Sequence, residues 1–60
     1  AGDVTMTVSI PFDKGLLLKM VHERCQVIRE RYAQEGLVAT VKADERMAQT
    51  LAPYAIEDKG

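Results

Sequence analysis

The chain has 60 residues, a net charge of −1, 47% hydrophobic and 28% charged residues, and a single cysteine. Sixty residues make one domain at most and bury only about 60% of the surface the unfolded chain exposes. One Cys excludes an internal disulfide, and one His with one Cys cannot build a structural zinc site without carboxylates.

This balance is that of a globular chain, with no overall pull toward nucleic acid or anionic lipid. A small domain without staples calls for a packed partner, either a second copy or the rest of a larger protein. No apolar run reaches the roughly 18 residues of a membrane span, and no signal-peptide pattern opens the chain. A cytoplasmic, reducing location is the default expectation. The chain reads as one unit, with Ala1-Gly2 readable as an expression scar and residues 57–60 as a frayed polar tail.

Residues 4–10 alternate Val4, Met6, Val8 and Ile10 with Thr5, Thr7 and Ser9, the period-2 pattern of a half-buried strand. Pro11 ends it, because it cannot donate to a ladder. Asp13 then stands as a helix N-cap, with Phe12 and Leu17 at hydrophobic-staple spacing. Periodicity predicts a helix over about 13–34, some 22 residues and 33 Å long.

On that helix Leu17, Leu18, Val21, Cys25, Ile28 and Tyr32 form an inward stripe. Leu16, Met20 and Val27 form a second one, beyond Arg24 and Arg31, wider than one packed face requires. Leu16, Met20 and Val27 are therefore expected to meet something outside the core. Arg24 and Arg31 either snorkel or, with them, mark a docking surface. Lys14, Lys19, Arg24, Arg29 and Arg31 face only Glu23 and Glu30 in this stretch, and no aromatic interleaving suggests base stacking.

Gly36 is placed to end the helix in the left-handed region. A strand over about 37–42 follows, with Leu37, Ala39 and Val41 inward and Val38 and Thr40 outward. Strand, helix, strand predicts a right-handed crossover with parallel strands; antiparallel placement would need another strand, from a partner, between them. A second helix over about 44–52 starts at an Asp44 N-cap, faces Met47 and Leu51 inward, and stops at Pro53. Tyr54, Ala55 and Ile56 pack or pair locally. The fold class expected is α/β (α+β), a β-α-β-α module that is half of a ferredoxin-like unit.

No phosphate loop, dinucleotide fingerprint or Cys-x-x-Cys is present. His22 and Cys25 at i, i+3 could touch, but mid-helix amides cannot supply an oxyanion site, so Cys25 reads as a small core residue. Glu23 and Glu30 read as a solvated charge row. The chain alone carries no catalytic residues.

The stretch IPFDKGLLLKMVHERCQVIRERY over residues 10–32, then EGLVATV over 35–41 and LAPY over 51–54, resembles the C-terminal domain of the HflX family of translational GTPases. The family pattern is matched by Pro11, Phe12, Asp13, Gly15, Leu17, His22, Glu23, Val27, Tyr32 and Gly36. The likeness covers residues 8–54. Cys25 departs from the Gly common at that point.

The resemblance implies a cytoplasmic GTPase acting on stalled or idle ribosomes through the large subunit. GTP and magnesium would be held in a preceding domain, so this chain would hold no cofactor. Its partners would be that GTPase domain and ribosomal protein or RNA, by way of a surface formed by Leu16, Met20, Val27, Arg24 and Arg31. A structural self-association module, closing a shared sheet or helix interface as a homodimer, is the alternative.

Overall fold

The computed structural model describes residues 2–57. Strand β1 (Val4–Pro11) leads into helix α1 (Gly15–Arg24). Strands β2 (Gln26–Tyr32) and β3 (Gly36–Ala43) form a hairpin, followed by helix α2 (Glu45–Leu51) and a 3-10 turn over Ala52–Tyr54. The fold is α+β: a three-stranded antiparallel sheet with two helices.

The sheet order is β1-β3-β2, with β3 central and antiparallel to both neighbours. Strands β1 and β2 therefore run the same way with β3 between them, a split β-α-β arrangement. Past the 3-10 turn, Ala55 bridges antiparallel to Val8, and the Ile56 N–H donates to the Thr7 carbonyl at 2.9 Å. This bridge occupies the fourth-strand position of a ferredoxin-like sheet, beside β1.

The expected helix over 13–34 is corrected here: its second half is a strand. Helix α1 ends at Arg24, and the Cys25 N–H makes the last helical bond, to Val21, while its own backbone is extended. Strand β2 then pairs with the second edge of β3 from Gln26↔Lys42 to Tyr32↔Leu37. A lone β1–β3 pair would be marginal in water, and a third strand completes β3's hydrogen bonding on both sides.

The expected parallel relation of the first and last strands is likewise corrected. Residues 4–11 pair directly and antiparallel with 36–43, and the intervening chain supplies the third strand from within. Gly36 does not cap a helix in the left-handed region; no described glycine has positive φ. It lies inside β3, where a Cβ would strike the Ile10 carbonyl and the Pro11 Cα, so only glycine lets these strands approach. Nor does Asp13 cap α1: Lys14 holds the N-cap position with no side-chain bond.

Other expectations hold. Val8, Ile10, Leu37, Ala39, Val41 and Ala43 form the buried sheet face, closed by Val21 from α1 and Met47 and Leu51 from α2. Asp44 caps α2, its Oδ1 accepting from the Met47 amide at 2.7 Å. Glu57 is exposed, while Ala1 and residues 58–60, the rest of the expected scar and tail, lie outside the described residues.

Candidate interaction surfaces

The five residues expected to share a docking surface separate once the helix is divided. Leu16 is 74% exposed on the first turn of α1. Met20, one turn on, is half-buried and packs against the core instead of facing outward alone. Both line a groove of about 500 Å³ with Leu17, Thr50, Pro53 and Tyr54, where the start of α1 meets the end of α2. Val27 is not on that helix at all; it sits on β2 opposite Val41 and packs against the core.

Arg24 is the exposed last residue of α1, whereas Arg31 lies on β2 in register with Val38. The structure thus joins Leu16 and Met20 and scatters the other three. Ile28 and Tyr32, expected inward, are exposed because they sit on an edge strand with a register shift between Val27 and Arg29. Tyr32 stacks on Phe12, with ring centroids 6.2 Å apart and planes 25° from parallel.

A clamp unforeseen in the sequence joins α1 to β2. His22 Nδ1 lies 3.0 Å from the Leu18 carbonyl, and its Nε2 lies 3.0 Å from Glu30 Oε2. Both partners are acceptors, so only the doubly protonated imidazolium satisfies both at once. The Glu30 hydrogen bond, then the Leu18 carbonyl, raise the His22 pKa above its usual 6.5. Glu30 therefore does not belong to a solvated helical row with Glu23.

Cys25 is half-buried at the joint between α1 and β2, and burial, then the Asp44 charge, push its thiol pKa up. A raised thiol is a weak nucleophile at neutral pH. Among the described residues, no three His, Cys, Asp or Glu side chains converge to hold a metal ion. Nor is any described helix long and apolar enough to cross a membrane.

The sheet face turned away from the helices is set by register. It carries Thr5, Thr7 and Ser9 from β1, Val38, Thr40 and Lys42 from β3, and Gln26, Arg29 and Arg31 from β2. Thr7 and Thr40 share a hydroxyl hydrogen bond of 2.9 Å across the two strands. Val38, flanked in register by Ser9 and Arg31, is only 6% exposed although no helix covers it. The signal for this face was present in Arg29 and Arg31 at i, i+2, a spacing that shares a face on a strand and not on a helix.

No protein-family model and no curated protein matches the chain.

Proposed function

We propose that this chain is the non-catalytic C-terminal accessory domain of an HflX-like GTP-binding protein. In this reading the parent associates with the large ribosomal subunit in the cytoplasm and acts on stalled or idle ribosomes. GTP and magnesium belong to the preceding domain, and the chain contributes contacts.

The observation that carries the reading is where the pattern residues fall. Phe12 and Tyr32 stack on each other, and the Phe12 N–H donates to the Glu35 carbonyl at the β2–β3 turn. Gly36 permits the close approach of β3 to Ile10 and Pro11. His22 ties α1 to β2. Phe12, His22, Tyr32 and Gly36 of the pattern thus lie at joints between the elements of this fold. Cys25, where the family commonly has Gly, is the point at which helix passes into strand, with extended backbone that any residue adopts.

The test is removal of this segment from the parent protein. Co-sedimentation with large subunits and splitting of whole ribosomes should both weaken, while the isolated chain should bind no fluorescent GTP analogue. Unchanged sedimentation and splitting would defeat the reading, as would nucleotide binding by the chain alone.

A second reading is favoured by the groove at Leu16 and Met20, an apolar surface where a second copy could dock. Sedimentation velocity at high concentration tests it: a dimer that Leu16→Glu dissolves supports it, and a monomer throughout rejects it.

A further inference from the structure

Where the start of α1 meets the end of α2, one patch carries both halves of a fit. Leu16 stands on its rim and is 74% exposed, the most exposed apolar side chain of α1. Beside it runs the groove of about 500 Å³, with Leu17, Met20, Pro53 and Tyr54 in its walls. Gly15 adjoins Leu16, and the place a Cβ would take is open, so another main chain can approach closely there. The charged residues lining the groove are Asp13 and Lys14, adjacent in the chain and of opposite sign. Both are exposed, and neither side chain has an ion pair among the described residues.

An exposed leucine, a groove to receive one, and one charge of each sign make a patch that complements itself. A two-fold interface requires this, because the same surface meets itself and every contact occurs twice. An unlike partner filling the groove needs neither Leu16 on the rim nor the paired charges. We infer that two copies pack about a two-fold axis, with Leu16 of each seated in the other's groove and Asp13 of each facing the partner's Lys14. The inference rests on the reading that a second copy docks at this groove, and adds the orientation and the basis of partner choice. Burial of leucine supplies the attraction. The two ion pairs, screened at the rim, fix the register more than they add affinity.

Sedimentation velocity of the 60-residue chain in low salt, up to about 1 mM, reads the dimer. L16E should abolish it. D13K sets two ammonium groups against each other at each end of the axis, and K14D sets two carboxylates. Each should weaken dimerisation about ten-fold, because symmetry counts every change twice. Mixed in equal amounts, D13K and K14D should form a dimer about as tight as that of the unaltered chain, since opposite charges meet again at both ends. Circular dichroism establishes that each variant remains folded; if a reversal disturbs the fold, D13N and K14Q give the same order in smaller steps.

A monomer at about 1 mM overturns the inference together with the reading it rests on. A dimer that L16E leaves intact uses another surface and overturns both. A dimer that L16E dissolves, but that the charge variants leave unchanged, overturns the orientation alone. A mixture of D13K and K14D no tighter than its parts shows that the two charges do not meet, which overturns the orientation as well.

Discussion

Glu30 on β2 accepts a 3.0 Å hydrogen bond from Nε2 of His22, eight residues earlier near the end of α1. The pair spans the joint where helix gives way to strand, and the Leu18 carbonyl takes the other imidazole proton. Folding therefore favours the imidazolium, and the clamp is strongest when His22 is charged.

Stability should accordingly fall as pH rises. His22 has a folded pKa above the usual 6.5, so its contribution is fully present below that value and fades through the raised one. Both side chains are a third or more exposed, and pairs of this kind are worth about 0.2–1 kcal/mol. Thermal unfolding at about pH 5.5 and pH 8.5 should show a Tm lower at the higher pH by a few degrees. Glu30→Gln should remove most of that difference; an undiminished difference would dismiss the clamp as its source.

Two glycines should respond in opposite senses to alanine. At Gly36 a Cβ meets main-chain atoms of Ile10 and Pro11, which cannot rotate aside. Gly36→Ala should cost about 2–3 kcal/mol, a large part of the total for a domain this small. A Cβ at Gly15, in the first turn of α1, meets nothing within 4 Å. Gly15→Ala should stabilise by about 0.5 kcal/mol. Urea unfolding of the two variants decides the matter.

Asp44→Ala removes the side-chain oxygen that accepts from the Met47 amide at the start of α2. Loss of such a cap costs about 1 kcal/mol, or about 4–8 °C in Tm for a domain of this size. Asp13→Ala should leave Tm nearly unchanged, because no side-chain bond caps α1. Equal effects at the two positions would contradict the geometry.

Cys25 should react slowly with a thiol reagent such as Ellman's at pH 8, since burial and the Asp44 charge hold its thiol protonated. Adding denaturant should raise the rate at least several-fold. A folded chain that reacts as fast as free cysteine would refute the packing described for this joint.

Much of the fold is legible in the sequence. The alternation over residues 4–10 marked β1 and its faces, Leu37, Ala39 and Val41 marked the inward side of β3, and Asp44 marked the start of α2. Each is a local signal: a period, a cap residue, a breaker. The candidate surface was legible only in part, because it was drawn on a helix twice its real length. Leu16 and Met20, both inside α1, stayed together, whereas Val27 and Arg31 were carried away by β2.

The sequence by itself determined an α+β module with an apolar face on β1, β3 and α2. It did not determine Cys25–Tyr32, because no Gly or Pro separates Gly15 from Gly36 and the Gln, Arg and Glu residues there suit a helix. Only the tertiary structure decided that segment. The free edge of β3 needed hydrogen-bond partners that no helix can supply, and strand identity depends on such neighbours more than on intrinsic preference. Once β2 formed, Glu30 reached His22, and Arg29 and Arg31 joined Lys42 on one open face.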